Sequence, residues 1–390
     1  MGIKINNREI DMSKDVYFIA DIAANHEGEL SKAKELLHAC AESRVDAVKM
    51  QNFTAETIVS QKGFDDIEGL STHQSNWSSS VFDSYKAASI PLEWSFELSE
   101  LSRQLGMDYF TTPYSPALVE AVSPYVCAFK IGSGDITWLD NLIAIAKQNR
   151  PILLATGAST MDDVDRAMKT LLKYNSDILL MQCNTDYTAA INDTDEIKSR
   201  RFGCINLAVL KTFQKRWPHI PIGLSDHTHG HDTVLAATAL FNCSAVEKHF
   251  TLDNSREGQD HSFSMTPNAW KKMVEETCKL KSECDNLNGS EDLMKAIRNA
   301  MSNPQYLELM IGDGVKKVET NEKNTIQVQR RSVRAKCDIP AGVEISEAML
   351  AYLRPCPTGA LEPYRKHEVI GKRAKSAINE GDLVLVENVQ

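Results

Sequence analysis

Residues 221–251 read PIGLSDHTHGHDTVLAATALFNCSAVEKHFT. Two apolar runs, PIGLSDHT (221–228) and AVEKHFT (245–251), turn polar at their carboxyl ends, and a helix is expected to begin near His229 and His231 between them. Strand, helix and strand within about 30 residues make one parallel βα repeat. Upstream, the same unit recurs at VYFIADIA (16–23), DAVKMQN (46–52), DYFTTPY (108–114), AFKIGSG (128–134), PILLATG (151–157) and DILLMQC (177–183). Each run is apolar through its middle, as strands buried on both faces must be. The intervening segments carry helix signals. Ser31 is read as the cap of SKAKELLHACAES, with Ala33, Leu36, Leu37 and Cys40 at helical spacing. MDDVDRAMKTLLKY (161–174) sets acids in its first turn and lysines later. Eight such units predict a (β/α)8 TIM barrel, an α/β fold, with a doubly wound open sheet as the alternative.

The barrel is placed at 1–285, and 53–91, rich in Ser, His and Gly, reads as an insertion after the second strand, of the kind that forms lids. Residues 286–330 read as a polar linker with a short helix near 291–301. Residues 331–390 read as a separate small module, in which DIPAG and INEGD are similar turn-bearing phrases. A chain of 390 residues suits two such domains. Nine scattered cysteines without a CxxC pair suggest reduced thiols, and no apolar run approaches the length of a signal or membrane span, so a cytoplasmic location is expected. A net charge of −10 argues against a nucleic-acid binder and leaves any bound anion to a few well-placed cations.

In a barrel, ligands and catalytic groups come from the carboxyl ends of the strands. Asp21, Lys49, Gln51, Thr112, Lys130, Ser133, Asp135, Thr185, Tyr187, Ser225, His227, Glu247 and His249 all fall at or just past those ends. His227 and His249 end adjacent strands, spaced ~4.8 Å apart. Two neutral imidazoles with substrate oxygens and water suit Mn²⁺, Zn²⁺ or a similar Lewis-acid ion. Lys49 and Lys130 inside strands would hold a phosphate or carboxylate, with Schiff-base chemistry as a rival. The bland alternatives are packing or capping for the histidines, and salt bridging to Asp21, Asp135 or Glu247 for the lysines.

IADIAANHEG, DAVKMQ, TTPYS, FKIGSGD, LLATGAS, IGLSDHT and VEKHFT, followed by GQDHSFSMTP, resemble in order the sialic acid synthase family, which makes nonulosonic acids. The segment from about Arg331 resembles that family's antifreeze-like SAF domain, a β-clip. The resemblance covers nearly the whole chain. It implies a phosphoenolpyruvate-dependent, C–C bond-forming transferase that joins phosphoenolpyruvate to an open-chain N-acylated hexosamine such as N-acetylmannosamine. Phosphate would leave by C–O cleavage. It implies that Lys49, Thr112, Lys130, Ser133 and Ser225 bind phosphoenolpyruvate, and that His227 and His249 hold Mn²⁺ or Mg²⁺. Tyr187, Glu247 and Asp260 would lie around the sugar. Arg354, in YLRPCPTG, would enter the neighbouring subunit's site in a domain-swapped homodimer. Asp21, Glu247, Lys49 and Lys130 are the expected catalytic groups, Asp21 and Glu247 being the carboxylates available to a cation at C2.

Asp21 and Asp135 stand where the family usually has Glu, Ala155 where serine is common, QCNTDYT for HC-T/S-x-x-YP, and EGQDH for PGPDH. These departures cluster on the sugar side. They raise a diacetamido-trideoxyhexose, giving a legionaminate- or pseudaminate-type product, as a rival acceptor. Another phosphoenolpyruvate aldol synthase, making 3-deoxy-octulosonate or heptulosonate, and a non-catalytic sugar- or ice-binding protein are the remaining alternatives.

Overall fold

The computed structural model describes residues 2–13, 15–67, 72–189, 192–285, 287 and 289–390. Residues 68–71 of the expected insertion and 286 and 288 of the expected linker lie outside the described residues. An antiparallel hairpin, β1 (Ile3–Ile5) and β2 (Arg8–Ile10), opens the chain. The strands β3 (Tyr17–Asp21), β4 (Ala47–Asn52), β5 (Asp108–Pro113), β6 (Phe129–Ile131), β7 (Ile152–Ala155), β8 (Ile178–Cys183), β9 (Ile222–Asp226) and β10 (Ala245–His249) follow. Each lies inside one of the eight apolar runs, and together they close a parallel barrel in which β10 pairs with β3. Closure rules out the open sheet.

Helices cover the outside. Ser31 is not a cap: the first helix spans Leu30–Glu42 with Glu29 at its N-cap, and Ala33, Leu36, Leu37 and Cys40 form its buried stripe. The helix Met161–Leu171 is capped by Thr160 in a reciprocal pair with Asp163, which satisfies free amides of the first turn. Among the described residues no helix is long and apolar enough to cross a membrane.

The stretch read as a linker is partly wall. A helix spans Ser290–Ala300, and Ile297, Met301, Leu307 and Met310 are buried in the main core. Spacing of Leu293, Ile297 and Met301 gives that helix an apolar stripe, which is why it packs instead of dangling. The C-terminal module has its own core of Val333, Ile339, Ile345, Leu361, Val369, Ile378 and Val384. It contains the pair β11 (Ser332–Ala335) and β12 (Leu350–Leu353). The two similar phrases face each other there, Ile339 and Ile378 exchanging backbone hydrogen bonds of 2.8 and 2.9 Å.

The module covers the barrel mouth. Arg354 bridges by its backbone to the insertion, with Ser60 N donating to Arg354 O at 2.8 Å and Arg354 N to Ile58 O at 3.0 Å. Arg331, with no exposed surface, uses its whole guanidinium. It donates to Asp135 at 2.7 and 3.3 Å, to the carbonyls of Thr57 and Tyr352 at 2.7 Å each, and to Tyr114 O at 3.1 Å. Truncating one partner of such a buried pair leaves the other charge uncompensated, at a cost of about 3–5 kcal/mol. Arg331→Ala is therefore expected to lower stability by that order, read by urea unfolding.

Candidate active site at the barrel mouth

Parallel strands pair residue by residue, and side chains alternate between the two faces. His249 is in register with Asp21, Asp21 with Lys49, and Glu247 with Ser225, so these side chains share the inner face. Lys248 and Asp226 are one residue out of phase. They pair with each other in the outer layer, Lys248 Nζ also donating to Thr228 O at 2.8 Å.

Glu247 Oε1 accepts from Lys130 Nζ at 2.7 Å, Lys49 Nζ at 3.1 Å and Ser225 Oγ at 3.1 Å. Asp21 Oδ2 lies 2.7 Å from Lys49 Nζ. The lysines thus make the salt bridges of the bland alternative, yet Lys49, Lys130, Asp21 and Glu247 all line one cavity. Burial alone would raise the Glu247 carboxyl, but Lys130 and Lys49 outweigh it and hold that group well below the usual carboxylate range. Burial raises Asp21, with Lys49 opposing and the Glu247 charge reinforcing. Burial lowers Lys130 against the pull of Glu247. Opposed shifts on two carboxylates in one cavity divide the labour: Glu247 stays ionised and Asp21 holds a proton more readily.

His227 and His249 stand with ring centroids 5.3 Å apart, and Tyr187 lies 4.4 Å from the His227 ring. Burial lowers both imidazoles to about 3, the neighbouring His249 adding for His227 and Lys49 for His249, so both are neutral at ordinary pH. His227 Nδ1 is 2.8 Å from the carbonyl oxygen of Asn184. A carbonyl only accepts, so Nδ1 carries the proton and Nε2 keeps its lone pair. His249 Nδ1 is buried with no hydrogen-bond partner among the described residues. Its Nε2 lies 3.5 Å from Asp21 Oδ2. Two neutral imidazoles, one with a free lone pair and one with an orphaned nitrogen, fit a divalent cation. Among the described residues no third His, Cys, Asp or Glu joins them as a metal cluster.

Of the expected substrate contacts, Gln51, Thr112, Ser133, Tyr187, Ser225, Asp260 and Arg354 line the same cavity. Thr112 Oγ1 is buried without a partner among the described residues, and Ser133 Oγ accepts from Gly157 N at 2.9 Å. Two expectations need correction. Asp135 does not line the cavity: Arg331 occupies its carboxylate, and Arg354 Nη2 lies 3.6 Å away. Thr185 turns to Glu322, donating from N and Oγ1 at 2.8 and 3.0 Å. Sequence reasoning also missed a wall of Phe53, Trp77, Tyr85 and Tyr114, with ring centroids 5.5–5.9 Å apart in successive edge contacts. Trp77 and Tyr85 were visible only as aromatics inside a polar insertion. Gln259 and Gln329 also line the cavity.

A family model described as the NeuB family matches residues 36–288, and a SAF domain model matches 330–390. The chain belongs to the NeuB family. This NeuB chain is 30% identical over 386 residues to the N,N'-diacetyllegionaminic acid synthase of Legionella pneumophila, covering 97% of this chain and 96% of that one. It is 29% identical over 376 residues to the pseudaminic acid synthase of Helicobacter pylori, covering 95% and 97%. The crystal structure of Bacillus subtilis SpsE, a spore coat polysaccharide biosynthesis protein, superposes with a TM-score of 0.78 at 26% identity, covering 100% and 99%.

Arg354 reaches the mouth of its own barrel in this NeuB chain, whereas the resemblance implies delivery from a neighbouring subunit. The helix Lys323–Gln329 lies along the mouth and turns the module back over it, with Gln329 accepting from Arg354 Nη1. Asp260 keeps part of its surface on the cavity, but burial pushes its carboxyl up to about 7, with a hydrogen bond from the Ala24 N–H opposing and Asp21 adding. A raised carboxyl costs stability above the unfolded value of about 4, and the cost grows until the folded value is passed. Asp260→Asn keeps an acceptor for Ala24. It is therefore expected to raise the melting temperature more at pH 8 than at pH 4, measured by calorimetry.

Proposed function

We propose that the chain condenses phosphoenolpyruvate with the aldehyde of an open-chain N-acylated hexosamine, forming a nonulosonic acid and phosphate. The observation that carries this reading is the convergence of Lys49, Lys130, Asp21, Glu247 and two neutral imidazoles on one cavity. Lys49 and Lys130 bind the anionic groups of phosphoenolpyruvate, exchanging part of their bond to Glu247 for the ligand. When bound to His227 and His249, a divalent cation, Mn²⁺ or Mg²⁺, supplies Lewis-acid polarisation of the acceptor carbonyl.

C3 of phosphoenolpyruvate attacks the aldehyde carbon, and C2 becomes cationic. Glu247, ionised at the floor, faces that charge and stabilises it. Water adds at C2, and phosphate leaves with its bridging oxygen. Asp21, raised by burial, is the group placed to carry a proton in this sequence. Arg354 caps the cavity with its guanidinium. The homodimer implied by the resemblance belongs to the proposal: in it, the contacts that the module makes here with its own barrel would be made instead with the barrel of the other copy.

A diacetamido-trideoxyhexose is the acceptor favoured by the aromatic wall. Phe53, Trp77 and Tyr85 offer apolar faces suited to acetamido methyls and a deoxygenated end. Sugar hydroxyls would need polar partners there. The two 29–30% identical relatives are named for legionaminic and pseudaminic acids. Phosphate release from phosphoenolpyruvate, followed with a panel of hexosamines with and without EDTA, tests the activity. Release that requires both a sugar and a divalent cation is expected; no release with any sugar refutes it.

A further inference from the structure

We infer that Asn321 and Glu322, in the connection between barrel and module, are positioning residues for His227, fixing the peptide group that sets which ring nitrogen bears its proton. The inference rests on the reading of His227 as a cation ligand. One peptide unit joins the two sites. Its carbonyl, that of Asn184, accepts from His227 Nδ1 at 2.8 Å. Its N–H, that of Thr185, donates to Glu322 Oε1 at 2.8 Å. A carboxylate on the N–H side polarises the amide and makes its carbonyl a stronger acceptor. Glu322 and His227 therefore act on opposite ends of a single amide.

The rest of the arrangement keeps that amide in place. Glu322 is 1% exposed, and Oε1 also accepts from Ala158 N at 2.7 Å and Thr185 Oγ1 at 3.0 Å, while Oε2 accepts from Glu319 N at 3.0 Å. Asn184 and Asn321 exchange side-chain amide hydrogen bonds of 3.0 and 2.9 Å. Asn184 Nδ2 also donates to Cys204 O at 3.1 Å. The chain then continues through the helix Lys323–Gln329 to Arg330, which donates to Ala158 O at 2.9 Å. The connection thus clasps the loops after β7 and β8 while carrying the module. Outer partners of this kind orient a ligating imidazole and raise its basicity, and their loss typically weakens metal affinity by about 10- to 100-fold.

The test uses the full chain without substrates. Mn²⁺ affinity is measured from the electron paramagnetic resonance signal of free Mn²⁺, and the His227 tautomer from its ring ¹⁵N shifts. Thermal melting reports the fold. Glu322→Ala and Asn321→Ala are expected to weaken Mn²⁺ binding by about 10- to 100-fold and to mix the two tautomers. Glu322→Gln, which keeps an acceptor at Oε1, is expected to recover most of the affinity. Should Glu322→Ala fail to fold, Asn321→Ala, at a half-buried position, decides. Folded variants with wild-type affinity and unchanged ¹⁵N shifts overturn the inference alone, provided that His227→Ala abolishes binding. Wild-type affinity in His227→Ala overturns the cation-ligand reading and the inference together.

Discussion

Glu247→Gln is expected to lower the rate of phosphate release at saturating substrates by about 10²- to 10⁴-fold, the range associated with a group that acts on charge or protons in the transition state. Its Oε1 is the single atom on which Lys49, Lys130 and Ser225 converge. Glutamine preserves the shape and one acceptor but removes the negative charge facing C2. Lys49 then keeps Asp21 while Lys130 loses the carboxylate it pairs with, so stability should fall toward the lower part of the about 3–5 kcal/mol seen when a buried pair loses one member. The same change frees both lysines for an anion. Affinity for phosphoenolpyruvate should therefore hold or improve while turnover collapses, a split that separates transition-state stabilisation from binding. Steady-state kinetics with a direct binding titration of phosphoenolpyruvate makes the check. Turnover within a few-fold of wild type would make Glu247 a structural counter-ion.

His249→Ala is the second large effect expected. The ring sits between Asp21 and His227, with one nitrogen 3.5 Å from Asp21 Oδ2 and the other unpartnered among the described residues. Removing it leaves one imidazole, and Mn²⁺ affinity should drop beyond the about 100-fold that loss of an outer partner produces. Phosphate release should fall to that of EDTA-treated wild type. The fold should tolerate the change at a modest cost in stability, because the ring borders the cavity but also packs on Phe263 and His227 at centroid distances of 4.9 and 5.3 Å. Mn²⁺ titration and phosphate release on the same preparation read both effects. Retained Mn²⁺ binding with lost activity would give His249 a role toward substrate instead.

Much of this was legible in the chain because parallel barrel strands are buried on both faces and announce themselves as apolar runs with polar ends. The period-2 alternation then sorts those ends: Glu247 and His249 face inward, and Lys248 between them pairs with Asp226 outside. Beyond the last paired residue that alternation no longer applies. Asp135 and Thr185 were misjudged there, since their partners, Arg331 and Glu322, lie 196 and 137 positions away in the chain. The aromatic wall was hidden for a related reason: Trp77 follows a single 3-10 turn and Tyr85 stands on an eight-residue helix, so no long apolar stripe pointed them at the mouth. The helix Ser290–Ala300 was expected within a residue or so, but the stripe of Leu293, Ile297 and Met301 that seats it in the core was outweighed in the reading by its polar surroundings.

Mass spectrometry of the products formed from phosphoenolpyruvate and an equimolar mixture of N-acetylmannosamine and a diacetamido-trideoxyhexose is the most direct measurement of what this mouth does. The expected result is a metal-dependent nine-carbon 2-keto acid whose mass is that of the sugar plus pyruvate, with the deoxy diamino product in excess. Phosphoenolpyruvate left intact beside both sugars, with Mn²⁺ present and the protein folded, would contradict it.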